Sequence, residues 1–156
     1  MPKSIFAKII SGGQTGVERA ALDIALEKGI PCGGWCLKGR IAEDGRIDSR
    51  YPLKETKSNY LWERTERNVN MSDGTLILTW GPPTGGTALT LKLARDYKKP
   101  YIVIDLRGEG AFANVIKWAK IHQIQILNVA GPKESKFPGI YEEAKKYLGE
   151  ILVSRD

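Results

Sequence analysis

Two glycine-rich stretches carry the residue types that can grip an anion by its oxygens. The first is Ser11-Gly12-Gly13-Gln14-Thr15-Gly16, and the second is Gly81-Pro82-Pro83-Thr84-Gly85-Gly86-Thr87. Glycine allows positive φ and lets a ligand approach the backbone with no Cβ in the way. A helix opening directly after such a loop adds unpaired N–H groups and the positive end of its dipole. Ser11, Gln14 and Thr15 can add side-chain hydrogen bonds at the first loop. Thr84 and Thr87 can bond a phosphate oxygen or cap the helix at the second. The competing reading of each loop is a tight turn with no ligand. The spacing from Gly81 to Gly86 imitates a Walker A loop, but Thr87 stands where the lysine belongs, which rejects a P-loop NTPase. Neither stretch fits G-x-G-x-x-G, so a dinucleotide fingerprint has no support.

Two further segments carry polar chemistry. In Gly39-Arg40-Ile41-Ala42-Glu43-Asp44-Gly45, Arg40 can fork onto a phosphate, pterin or base oxygen. Glu43 and Asp44 can bind a ribose or ring amine, hold a cation, or act as acid or base, and are the candidate catalytic groups. The alternative is a charged surface turn. In Gly131-Pro132-Lys133-Glu134-Ser135-Lys136, Lys133 and Ser135 can reach an anion, or the segment is a solvated turn. Asp105 can bond a ligand hydroxyl or cap its own turn. Trp35 and Trp80 lie beside the loops and can stack on a flat ring. Cys32 and Cys36 read as reduced thiols, and with one histidine, His122, they are too few for a structural zinc site. No metal site is expected.

The elements that must position these residues alternate. Residues 5–10 form a first strand, and the apolar spacing of Val17, Ala20, Ala21, Ile24 and Ala25 predicts a helix to about Lys28, stopped by Gly29 and Pro31. Residues 30–36 read as a second strand. Residues 37–56 are irregular and charged, as functional or mobile loops are. A weakly amphipathic helix spans about 58–70. The continuous apolar run 75–80 is a strand buried on both faces and the expected centre of the sheet. A helix then carries Leu89, Leu93 and Tyr97, a buried strand covers 101–105, a helix 111–122, a strand 124–129, and a last helix starts near Gly139. Repeated strand–helix units predict a Rossmann-like α/β three-layer sandwich, a mostly parallel sheet of about five strands with helices on both faces. Ligands of such sheets bind beyond the C-terminal strand ends, where the strand order reverses. Every glycine-rich break above lies at that end.

The 156 residues suit one domain, 1–156, and hold 24 basic and 18 acidic side chains, a net charge of +6. The excess favours anionic partners, but acids and bases alternate through 38–67, as on a solvated face rather than a nucleic-acid stripe. No apolar run approaches a membrane span. The N-terminus leads straight into a glycine turn instead of a signal-peptide cleavage site, so a cytoplasmic location is expected.

The strings GGQTGVERAALDIALEKGIPCGGWCLKGRIAEDGRID, YPLKET, RTERNV, SDGTLILT, GGTALTL, KPYIVID and NVAGPKES together resemble the putative molybdenum carrier family. That family lies in the circularly permuted branch of the SLOG superfamily, related to the LOG and lysine decarboxylase-like Rossmann-like proteins. The resemblance runs through nearly the whole chain, with Leu37 departing from the proline usual there. It implies a pterin or nucleotide site at the glycine loops, carriage of molybdenum cofactor (molybdopterin), and a homo-oligomer, dimer or tetramer. Its signature falls on Gly12, Gly13, Thr15, Gly16, Arg40, Glu43, Asp44, Gly85, Gly86 and Thr87. LOG-type phosphoribohydrolases carry a glutamate shortly after their glycine loop. Here Ala88, Leu89, Thr90 and Leu91 follow Thr87, which favours a binding protein over a nucleotide N-glycosidic hydrolase. Glu18, Glu43 or Asp44 can stand in for that glutamate only if the fold brings one to the ligand. A single-stranded nucleic-acid binder is the third reading, disfavoured by the mixed charges.

Overall fold

The computed structural model describes residues 4–108 and 112–152. The first strand is short, β1 (Lys8–Ile10), because the chain leaves the sheet at Ser11, whose buried hydroxyl donates to the Val129 carbonyl at 2.6 Å. Helix α1 (Val17–Lys28) keeps its expected bounds. Gly29 ends it in the left-handed conformation, at φ 69°, where it bonds back to the last turn.

The expected strand 30–36 is two strands, β2 (Cys32–Gly33) and β3 (Trp35–Cys36). Gly34 breaks it at φ 129°, and a Cβ there would stand 2.2 Å from the Ser11 carbonyl oxygen. Only β2 belongs to the main sheet. Strand β3 turns away and pairs in parallel with β6 (Lys54–Glu55). Between them the segment expected to be irregular holds a small antiparallel hairpin, β4 (Ile41–Ala42) and β5 (Gly45–Arg46). This segment has a core of its own: Cys36, Ala42, Ile47, Tyr51 and Leu53 close over Leu22 on the outer side of α1. Burying a leucine side chain of that kind is worth about 1.5–3 kcal/mol.

Helix α2 (Leu61–Met71) starts later than expected. The Glu63 carboxylate accepts from the Ser58 amide and hydroxyl, at 3.0 and 2.7 Å, which keeps Ser58 outside the helix. After it come β7 (Gly74–Thr79), α3 (Gly85–Asp96), β8 (Tyr101–Asp105), α4 (Phe112–Ile121), β9 (Ile126–Ala130) and α5 (Ile140–Ile151). The first residue expected in α4, Ala111, lies outside the described residues.

The main sheet is parallel throughout, in the order β2-β1-β9-β7-β8. The centre is β9, not β7 as its hydrophobicity suggests; β7 is its fully buried neighbour. Strand β8 is an edge strand and only half-buried. Helices α1, α4 and α5 cover one face with a single large apolar cluster. On the other face α2 and α3 meet β8 through Val69, Leu93, Ala94 and Tyr101. The chain runs outward from β1 to β2 and, on the other side, from β7 to β8. Strand β9 then returns between the halves, so the order reverses there and the C-terminal ends of β1, β9 and β7 lie side by side. No described helix is long and apolar enough to cross a membrane.

Candidate functional site

A cavity of about 260 Å³ opens where the loops following β1, β7 and β9 meet α2. Its buried floor is formed by Glu18, Arg64, Thr65, Thr87 and Pro132, and its exposed rim includes Thr84, Gly85, Gly86, Lys133 and Lys136. Gln14, Leu61 and Gly131 complete the lining.

The two glycine loops contribute unequally. In the first, the missing side chains make room for the protein itself. A Cβ on Gly12 would stand 2.2 Å from Nη1 of Arg64, one on Gly13 2.6 Å from Leu53, and one on Gly16 2.3 Å from the Pro132 carbonyl. Its amides are also partly used. Gln14 N–H donates to Glu18 at 3.1 Å, and Thr15 N–H to the Gln14 side chain at 3.0 Å. Val17 N–H donates to the Pro132 carbonyl at 3.2 Å.

The second loop is open. Nothing lies within 4 Å of a Cβ on Gly85, and only Leu61, at 3.1 Å, approaches one on Gly86. Thr84 is the N-cap of α3 without a side-chain cap bond, and the first turn has no acidic residue. The first amides of α3 and its dipole therefore face the cavity without an internal anion. Lys136 donates to the Thr84 hydroxyl, which brings its ammonium to this helix end.

The floor holds a charge pair that no motif announces. Arg64 donates from Nη1 and Nη2 to the two Glu18 carboxylate oxygens at 3.1 and 2.9 Å. Both side chains are more than nine-tenths buried. The signal for it lies in α2, whose buried face is Arg64, Thr65, Asn68 and Val69. A helix burying three polar residues in two turns is committed to internal polar partners. Asn68 shows the same use, accepting from Trp35 N–H at 2.8 Å and donating to its carbonyl at 3.0 Å.

Of the expected site residues, Gln14, Thr84, Gly85, Gly86, Thr87 and Lys133 line the cavity. The others are placed around it. Arg40 is buried, with its guanidinium donating to the carbonyls of Ile47, Leu53, Asp48 and Tyr51 at 3.0, 3.2, 2.7 and 3.0 Å. It fastens the 37–56 segment from within. Glu43 accepts from the Ser135 hydroxyl and amide at 2.5 and 3.1 Å and from the Thr15 hydroxyl. Asp44 takes both ends of the Arg19 guanidinium at 2.9 and 3.1 Å. Asp105 caps its own turn by accepting from the Arg107 amide and holds the start of the second glycine loop by accepting from the Gly81 amide, each at 3.0 Å. Trp80 packs on Phe137, while Trp35 lies under the Arg67 guanidinium, 4.6 Å from the ring centroid. Both cysteines are free thiols, pushed up from their ordinary pKa by burial.

Glu43 thus ties three loops together, and the bonds from Ser135 and Thr15 hold its carboxyl below the ordinary carboxylate range. A lowered folded-state pKa contributes stability above the unfolded value and loses it as pH falls through the folded one. The contribution of the tie is therefore complete above about pH 4.5, the ordinary value, and is lost progressively as pH falls from there through the lower folded-state value. Hydrogen exchange at 131–136 is expected to speed up relative to the rest of the chain on acidification. Glu43→Gln should remove that pH dependence, and an unchanged profile would mean that Glu43 does not hold this loop.

A parallel five-stranded sheet with helices on both faces, its strand order reversing at β9, defines a Rossmann-like α/β fold. The chain belongs to the circularly permutated YpsA SLOG family, whose model matches residues 9–152. It is similar to a solved structure from Syntrophus aciditrophicus SB named "Putative molybdenum carrier protein". The two are 47% identical, the match covers 97% of this chain and 98% of that one, and the TM-score is 0.92. No curated protein matches.

Proposed function

We propose that the protein binds a phosphate-bearing ligand of the pterin or nucleotide type in this cavity, with its phosphate on the N-terminus of α3. The observation that carries this reading is the start of α3, at Thr84–Gly86, which has no side-chain cap and no acidic residue in its first turn and shares the cavity with the ammonium groups of Lys133 and Lys136. Backbone amides and two ammonium groups suit a phosphate dianion. The similar structure's name gives molybdenum as its cargo, and molybdenum cofactor is the phosphate-bearing form of that cargo which the family resemblance implies. Its phosphate end fits the donors present. Among the described residues no group of three or more His, Cys, Asp or Glu could hold the metal end. The expected role is therefore to hold the organic part of that cargo, for carriage or storage.

Equilibrium binding of molybdenum cofactor, GMP and AMP tests this reading. At least one is expected to bind, with affinity falling about tenfold for each of Lys133→Ala and Lys136→Ala, roughly 1.4 kcal/mol apiece. Absence of binding by all three at millimolar concentration, with the protein folded, would overturn it.

One observation favours a second reading, a nucleotide N-glycosidic hydrolase. The fold brings a carboxylate to the cavity, though it is Glu18 and not Glu43 or Asp44. A buried carboxylate can stabilise an oxocarbenium-like centre or activate water. Its bidentate bond to Arg64 competes with both tasks. Release of free base from nucleoside monophosphates by the wild type supports the hydrolase, and no release from a nucleotide panel retires it.

A further inference from the structure

We infer that the free edge of β8 is a pairing surface for a second copy of this chain. The two copies join β8 to β8 in antiparallel register about Val103, so that one sheet runs through both.

The parallel ladder decides which backbone groups of β8 are left over. Thr75 N–H donates to the Pro100 carbonyl at 3.0 Å, and Leu106 N–H donates to the Thr79 carbonyl at 2.8 Å. The even-numbered positions from 100 to 106 therefore turn their polar groups toward β7. Successive residues of a strand turn theirs to opposite sides. Tyr101, Val103 and Asp105 accordingly aim N–H and C=O away from the sheet. The Asp105 carbonyl accepts from Gly108 N–H at 3.0 Å. The three amides and the other two carbonyls have no partner among the described residues.

Proteins blunt such edges with lysine, proline, a bulge or a very short strand. Strand β8 carries none of these. It reads Tyr-Ile-Val-Ile-Asp and pairs residue for residue with Thr75–Thr79. The opposite edge of the sheet is managed: β2 has two residues, and the chain turns at once into other pairing, with Gly34 C=O accepting from Lys54 N–H at 2.9 Å.

The open edge is complementary to itself. Antiparallel pairing about Val103 uses every outward amide, in about six backbone bonds. It sets Ile102 of one copy beside Ile104 of the other, on the face where both already pack against the larger apolar cluster. On the opposite face Val103 meets Val103, and Tyr101 lies opposite Asp105. Arg95 sits over the Tyr101 ring, 5.7 Å from its centroid, and donates to its hydroxyl at 3.2 Å. It has no carboxylate partner among the described residues. The Asp105 side chain is 41% exposed. Pairing brings Arg95 of each copy to Asp105 of the other, so two ion pairs frame an apolar centre. An unrelated extended peptide matches the backbone of this edge but not its charges.

Analytical ultracentrifugation across a concentration series, with residue-resolved amide exchange, tests this on the full chain. The wild type is expected to form a dimer. On dilution the Tyr101 and Val103 amides should lose protection about tenfold, while those of Ile102 and Ile104 keep theirs. Val103→Pro removes an outward N–H and none that β7 uses, and should weaken the dimer about tenfold. Val103→Thr keeps both the N–H and the β-branch and should leave it within about twofold. Arg95→Glu, on an exposed position of α3, should weaken it about tenfold with an unchanged melting temperature at dilution, which serves where Val103→Pro fails to fold. A wild type that stays monomeric overturns the pairing. So does a dimer that neither Val103→Pro nor Arg95→Glu weakens, or Val103 exchange that is slow at every concentration.

Discussion

Glu18→Gln is expected to destabilise the protein by about 3–5 kcal/mol, because it leaves the Arg64 guanidinium buried without a counter-charge. At roughly 2–4 °C per kcal/mol for a chain of this size, the melting temperature should fall by about 6–20 °C. Removing both charges, as Glu18→Gln with Arg64→Met, should recover much of the loss, since two well-packed neutral side chains incur no ionic desolvation. A double-mutant cycle by urea unfolding measures this. A loss below about 1 kcal/mol for Glu18→Gln would show that Arg64 reaches water or another acceptor when its partner is removed. The pair is also what positions the cavity floor. The same substitution should therefore weaken ligand binding in the fraction that remains folded.

Arg40→Met separates two roles that sequence reasoning cannot. A phosphate-binding arginine would leave stability intact and abolish binding when replaced. The structure predicts the opposite order of effects. Four carbonyls, on Ile47, Asp48, Tyr51 and Leu53, lose a charged donor at once. Bonds of this kind are worth about 1.5–3 kcal/mol each when isolated, and shared ones sum to less. A loss of about 3 kcal/mol is expected, with proteolytic cuts appearing first within 37–56. The Kd for a phosphate ligand of the folded protein should change little. Unaltered stability with lost binding would place Arg40 on the ligand instead.

These two residues show where the sequence was legible and where it was not. Helix α1 was readable to the residue, because its apolar spacing and Gly29 are local signals that the fold also uses. Strand 30–36 was misread because Gly34 leaves the sheet to clear the Ser11 carbonyl, a contact between residues 23 positions apart. The segment 37–56 looks irregular because its organiser is one buried guanidinium bonding to backbone, and backbone carbonyls carry no sequence signature. At the site, the glycines were visible but not the direction in which each one makes room. Gly85 opens outward, whereas Gly12, Gly13 and Gly16 open toward Arg64, Leu53 and Pro132. Arg64 and Thr65 were missed because helix periodicity is read from apolar residues, and α2 buries polar ones.

The position of β9 has a consequence for how the chain comes together. Strand β1 pairs with β2 and β9, and β7 with β8 and β9, so the two halves of the sheet share no ladder of their own. The strand made last during synthesis is the one that joins them. Until residues 126–130 have emerged, β1 and β7 each present a buried-type edge with nothing beside it, the kind of edge that recruits other chains. Long-range closure of this sort folds slowly compared with local pairing. Insertion of β9 also delivers Lys133 and Lys136 to the start of α3, so completion of the sheet and assembly of the cavity are a single event.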